Sequence, residues 1–210
     1  MPKPQMSDLI TRNYPAEFRA DTEKNTITGI PIVFDTPTDI GGWFEETIER
    51  GAIDEAILKD VAFYYNHDLN TKPLARTRTG KLQLKVTDKG VEMSAEVNRE
   101  RTDVNDLYLA IQDGDIDGMS FMFRIEQEEW TDEDTDYPKR RIKKIGYVQE
   151  VSAVNYPAYP STEIYARSDK LLDSDKKALD NARASAVDTA EEKRLLDLEK
   201  AKVKYLTRRS

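Results

Sequence analysis

Gly118-Met119-Ser120-Phe121-Met122-Phe123 alternates strictly: Met119, Phe121 and Phe123 share one face, while Ser120, Met122 and Arg124 share the other. Large apolar side chains at period two predict a strand with one face in a core. The same strand carries a small hydroxyl two residues beyond a glycine. A serine there is ordinarily a spacer or bonds nearby backbone, so its meaning depends on the rest of the chain. Upstream, the apolar run Val61-Ala62-Phe63-Tyr64-Tyr65-Asn66 ends in His67. Downstream, Tyr147-Val148-Gln149-Glu150-Val151-Ser152-Ala153-Val154 encloses one carboxylate, Glu150. Serine, histidine and acid are the parts of activated acyl-transfer chemistry. Imidazole is the side chain that ordinarily titrates near neutrality, and the chain has one histidine. For any serine hydrolase using an imidazole base, the base is His67 by elimination.

The segments around these runs predict a mostly β domain. Thr26 to Phe34 is β-rich, and Pro31 marks either an edge strand or a bulge beside Gly29. Trp43 to Ile48 reads as a strand, and Ala52 to Lys59 as a short helix. Lys81 to Val86 and Val91 to Val97 alternate about the turn Asp88-Lys89-Gly90, predicting a hairpin. Val104, Leu107, Tyr108 and Ile111 fall at i, i+3, i+4 and i+7, one apolar helix face, with Thr102 as N-cap and Gly114 at C′. Glu126 to Asp136 holds seven acids, followed by Lys139, Arg140, Arg141, Lys143 and Lys144. This is either a solvated hairpin with opposite charges across its strands or a charged docking surface.

The composition excludes several function classes. A net charge of −8 argues against a nucleic-acid partner, which calls for a basic face. With one histidine and no cysteine there is no plausible zinc site, disulfide or thiol chemistry. No phosphate-cradling glycine loop is present. No cofactor or metal is therefore expected. The first residues lack the apolar core of a signal peptide, and no apolar run approaches the ~20 residues of a membrane span. The expectation is a soluble protein retained where it is made. The segment from Ser168 lacks Gly and Pro, and from Asp169 to Arg209 it carries eleven basic and nine acidic residues. It predicts helix without the register of a sustained coiled coil. The expected division is a flexible arm over 1–13, a domain over 14–167 and a helical, partly disordered tail over 168–210.

Within this frame the roles stay open. Glu150, placed on one face with Val148, Ser152 and Val154, needs a partner, since an unpaired carboxylate on an apolar face is costly. That partner is His67 or, in a purely structural ion pair, an arginine such as Arg76 or Arg124. Ser152, two residues from Glu150 on the same face, is a rival nucleophile. A small esterase is disfavoured because no Gly-x-Ser-x-Gly elbow exists.

From about Phe18 to Ala166 the chain resembles the prohead maturation proteases of tailed bacteriophages, relatives of the herpesvirus assemblins. The resemblance rests on order and spacing: Thr26 to Phe34 with Gly29-Ile30, Phe44-Glu45-Glu46-Thr47-Ile48 with Gly51-Ala52-Ile53, Asn66-His67-Asp68, and Pro73-Leu74-Ala75-Arg76. It continues through Gly114-Asp115-Ile116, Gly118 to Phe123, Glu150-Val151-Ser152 and Pro157-Ala158-Tyr159-Pro160. It implies an α+β fold, mainly β, with an assemblin-like β-barrel flanked by helices. It also implies a serine endopeptidase with Ser120 as nucleophile and His67 as base. Assemblins use a second histidine as the third member. This chain has none, so the resemblance puts Glu150 in that place. Ala75 and Met122 stand where the family often has glycine. The implied partners are the major capsid protein or its scaffolding domain and the scaffold protein, with a homodimer left open. The implied setting is the immature capsid in the host bacterial cytoplasm, with self-cleavage common. The second reading is a non-catalytic capsid assembly or scaffolding protein that works through its helical tail. For the oxyanion, the rigid proline-flanked turn suggests the backbone N–H groups of Ala158 and Tyr159, with Arg76 and Arg124 as alternatives.

Overall fold

A computed structural model describes residues 9–15, 18–21, 23–155 and 169–207. The hairpin of β10 (Gly118–Thr131) and β11 (Lys139–Val154) is its spine. β1 (Ile10–Pro15) pairs antiparallel with β10. On its other edge β11 takes two parallel partners at different heights: β5 (Phe44–Ile48) against Lys139–Ile142, and β6 (Ala62–Tyr65) against Glu150–Ala153. β4 (Thr38–Ile40) extends the sheet beyond β5, and β7 (Ala75–Arg76) extends it beyond β6. A second, antiparallel sheet has the order β2 (Phe18–Asp21), β3 (Thr26–Val33), β9 (Gly90–Glu96) and β8 (Leu82–Val86). The fold is α+β and mostly strand. Neither sheet closes on itself among the described residues, so the barrel implied by the resemblance is not formed there.

The core explains the alternation read from the sequence. Met119, Phe121 and Phe123 are wholly buried, and the rings of Phe121 and Phe123 stack at 4.3 Å. They meet Ile27, Ile32, Val91 and Met93 from the second sheet and Val104, Tyr108 and Ile111 from α1 (Thr102–Asp113). α1 buries the predicted face and ends at Gly114 in the left-handed conformation (φ +82°), which a side chain would strain. Its N-cap is Arg101 rather than Thr102, which lies inside the first turn. Pro31 sits in a register shift between Gly29 and Ile32 of a central strand, so it marks a bulge and not an edge. The expected helix over 52–59 reduces to a 3₁₀ turn at Glu55–Leu58, capped by the Asp54 side chain.

Two segments expected to be loose are tied to the domain. The arm over 1–13 becomes strand from Ile10, and Arg12 is buried within it. The C-terminal segment forms α2 (Asp169–Thr207), about 58 Å long at 1.5 Å per residue. Its early turns dock. Arg12 Nε and Nη2 reach Glu46 at 2.5 and 2.9 Å, and Arg12 Nη2 also reaches Asp175 Oδ1 at 3.0 Å. Arg140 Nη1 reaches the same Asp175 oxygen at 3.0 Å and Glu46 Oε2 at 3.2 Å, and its Nε and Nη2 bond Glu128. Burial alone would favour neutral groups, but the ion pairs outweigh it: Glu46 titrates below the usual carboxylate range and Arg12 above its ordinary value. Leu179 packs with Ile40, Phe44 and Trp130, Lys176 lies over the Trp43 ring, and Arg183 donates to the carbonyls of Glu133 and Thr135. Farther along, Val187, Leu195, Leu196 and Leu198 are exposed. A tail that is mobile from residue 168 therefore does not describe this half of the helix. Few apolar residues anchor it because buried charge does the work.

Candidate active site

Strand register gathers the three candidate residues. Ser120 on β10 lies directly opposite Ser152 on β11, and Met122 lies opposite Glu150. Opposed side chains share a face with Cβ atoms about 4.5–5.5 Å apart, so Ser120, Ser152 and Glu150 form one small cell. Beyond Glu150 the register slips: Phe123 pairs with Val148, leaving Gln149 as the extra residue of a bulge. The bulge re-phases β11. Val148, Val151 and Ala153 face the core with Phe123, Phe121 and Met119, while Glu150 and Ser152 point the other way with Ser120. Val148 therefore does not share a face with Glu150, because strict alternation across 147–154 misses the inserted residue.

His67 arrives from β6, which runs beside this part of β11, with Ser152 opposite Tyr64. The chain then turns through Asn66 (φ +49°) and His67 (φ +58°), two consecutive non-glycine residues in the left-handed region. That conformation is uncommon and persists where surrounding bonds fix it. The Asn66 N–H donates to the Ala153 carbonyl at 2.8 Å, the Asn155 N–H to Asn66 Oδ1 at 3.2 Å, and the His67 N–H to Ser152 Oγ at 3.3 Å. The imidazole then meets the acid, with His67 Nδ1 2.8 Å from Glu150 Oε1. The Ser152 hydroxyl donates to the other carboxylate oxygen, Oε2. Glu150 and Ser152 are fully buried, and the His67 side chain is 21% exposed. His67 Nε2 is buried and has no hydrogen-bond partner.

The hydroxyl of Ser120 is also fully buried, and it donates to the Arg12 carbonyl of β1 at 2.9 Å. It is not bonded to the imidazole in this conformation. His67 and Ser120 are nevertheless both immediate neighbours of Ser152, one by a hydrogen bond and one by register.

The side-chain bonds of Glu150 go to His67 and Ser152, not to the two arginines. Arg76 Nη2 bonds Asp60 Oδ1 at 3.1 Å, and Arg76 lies opposite Ala62, itself level with Glu150. Arg124 lies opposite Tyr147, farther along the hairpin. Both keep a buried Nε with no hydrogen-bond partner. A structural Arg–Glu150 ion pair is therefore not what buries this acid. Ala158 and Tyr159 lie outside the described residues. The acidic run of β10 pairs with the basic run of β11, as in Glu126–Lys144 and Glu129–Lys143, which favours the solvated hairpin. No group of His, Asp and Glu among the described residues could hold a metal ion, and no described helix is long and apolar enough to cross a membrane.

The sequence reading missed the bridging position of Ser152 and the buried Arg12–Glu46–Arg140–Asp175 cluster. The first had a signal, since a hydroxyl two residues beyond a buried acid shares its face. The second had only the spacing of Asp175, Leu179 and Arg183, one per turn of the same helix face.

Comparison with known proteins gives one family, the caudovirus prohead serine proteases, matching residues 14–177. No curated protein and no solved structure was found to match. The match takes in His67, Ser120, Glu150 and Ser152 and extends past Ala166 to the docked turn that carries Asp175. The chain belongs to the caudovirus prohead serine protease family.

Proposed function

We propose that this chain is a serine endopeptidase in which Ser120 is the nucleophile, His67 the general base and Glu150 the orienting acid. One observation carries the assignment. Glu150 holds Nδ1 of the only histidine, leaving Nε2 buried, unpartnered and able to accept a proton. In the reaction Ser120 Oγ leaves the Arg12 carbonyl by a change of χ1 rotamer and donates to His67 Nε2. Such bonds commonly form only once substrate is bound. Oγ attacks the scissile carbonyl as its proton passes to Nε2. The imidazolium, stabilised by Glu150, then protonates the leaving amine. Water resolves the acyl-enzyme with the same base, returning the serine and releasing the acid product. The oxyanion donors are drawn from the Arg76 and Arg124 guanidiniums and the Ala158 and Tyr159 N–H groups.

Family membership supports capsid maturation as the setting. The proposed substrates are the scaffold protein or the scaffolding domain of the major capsid protein, and the chain itself. The work takes place inside the immature capsid in the host cytoplasm, with no nucleic acid or membrane as partner. The test is a fluorophosphonate probe followed by peptide mass mapping, run beside cleavage of co-assembled scaffold. The probe should label Ser120. Ser120→Ala should lower cleavage by about 10⁵-fold or more. Undiminished capsid assembly, with no labelling and no cleavage in either form, would instead establish a non-catalytic scaffolding role.

A further inference from the structure

We propose that Ser152 is a positioning residue that sets the protonation geometry of His67; this rests on the assignment of His67 and Ser120 above. Its hydroxyl makes two bonds at once, donating to Glu150 Oε2 and accepting the backbone N–H of His67 at 3.3 Å. A hydroxyl has one proton and two lone pairs, so a single oxygen can serve both partners. The first bond occupies Oε2 and leaves Oε1 to face Nδ1 at 2.8 Å. A carboxylate so held accepts only from an N–H, which fixes the proton on Nδ1 and the lone pair on Nε2. The second bond ties down the backbone of a residue at φ +58° that directly follows another at φ +49°. Acid orientation and base placement thus depend on one side chain.

The geometry also weighs against Ser152 as the nucleophile. Its bonds hold the acid and the backbone of the base themselves, so a Ser152 that left them to attack would undo both, whereas the bond Ser120 gives up goes to the Arg12 carbonyl and touches neither. Residue type matters for the same reason. Alanine would leave the buried Oε2 and the half-buried His67 N–H without this partner, whereas threonine keeps the oxygen. Ser152 itself is fully buried, and the methyl of threonine is the one added demand there.

The experiment compares wild type, Ser152→Ala and Ser152→Thr by two readouts. One is the rate and position of labelling by a fluorophosphonate probe. The other is the ¹⁵N spectrum of the imidazole, unambiguous because the chain has one histidine. In Ser152→Ala, labelling should stay on Ser120 but slow by about 10- to 100-fold, as when a histidine-orienting partner is removed at metal sites. Its imidazole spectrum should change from the Nδ1–H tautomer to a mixture. Ser152→Thr should restore both. An Ala variant that labels at the wild-type rate with an unchanged imidazole spectrum overturns the positioning role. So does a Thr variant that folds yet behaves like Ala. Labelling of wild type on Ser152 instead of Ser120, or no labelling at all, overturns the parent assignment rather than this one.

Discussion

Replacing Asp175 with asparagine keeps the shape of the α2 docking contact and removes one charge. Two buried guanidiniums, Arg12 and Arg140, would then share one buried carboxylate, Glu46, with Glu128 reaching only the outer side of Arg140. Arginine does not shed its proton, so the imbalance cannot be relieved by titration. Uncompensated buried charge costs about 3–5 kcal/mol. The other ties on the helix are Leu179, worth about 1.5–3 kcal/mol, two Arg183 bonds to carbonyls at about 0.5–1.5 kcal/mol each, and Lys176 over Trp43 at about 0.5–1 kcal/mol. Ordering the helix subtracts from that total. The two sides are comparable, so the cheapest response is for the helix to leave and rehydrate the arginines while the domain stays folded. Both tryptophans of the chain report this, because Trp43 lies under Lys176 and Trp130 packs beside Leu179. Asp175→Asn should red-shift the tryptophan emission and expose α2 amides to exchange. The loss of Tm should stay below the roughly 6–20 °C that 3–5 kcal/mol would cost a domain of this size. Asp173→Asn, on the same turn but exposed, is the control. Unchanged emission with a Tm within about 2 °C of wild type would refute the claim that buried charge holds the helix.

Two further predictions come from the same geometry. Glu150→Gln should lower kcat by about 10³- to 10⁴-fold, less than Ser120→Ala, because the acid orients the base and does not take the proton; steady-state kinetics on a scaffold substrate would measure it, and a loss equal to that of Ser120→Ala would contradict the role. Glu46 contributes stability that is full above its unfolded pKa near 4.5 and is lost as pH falls through its lower folded value; urea titrations from pH 6 downward should show a loss that Glu46→Gln lacks.

The elements the sequence made legible are those whose residues signal through local period. The hairpin of β8 and β9, the buried stripe of α1 and the Met119-Phe121-Phe123 face all follow from apolar spacing and turn chemistry. The meeting of His67 with Glu150 was one of two pairings the residues left open, since a carboxylate on an apolar face needs a partner and the one histidine or an arginine could supply it. What the sequence hid is non-local or aperiodic. The bulge at Gln149 changes which residues share the face of Glu150, and no composition signal marks it. β1 looked like a polar arm because its binding to the domain runs through Arg12 and backbone pairing rather than an apolar stripe. The docking of α2 was hidden for the same reason, its anchor being a buried aspartate.

The charge cluster also separates two properties of the chain that are easily taken as one. β11 ends at Val154 and α2 begins at Asp169, and among the described residues the helix is tied to the domain by side-chain contacts, chief among them the ion pairs of Asp175 with Arg12 and Arg140. Covalent continuity and physical attachment are therefore independent here. A chain nicked in that interval would run as two fragments under denaturing conditions and still travel as one particle in native ones. Severing the peptide backbone would not set the helix free; breaking the ionic clasp would.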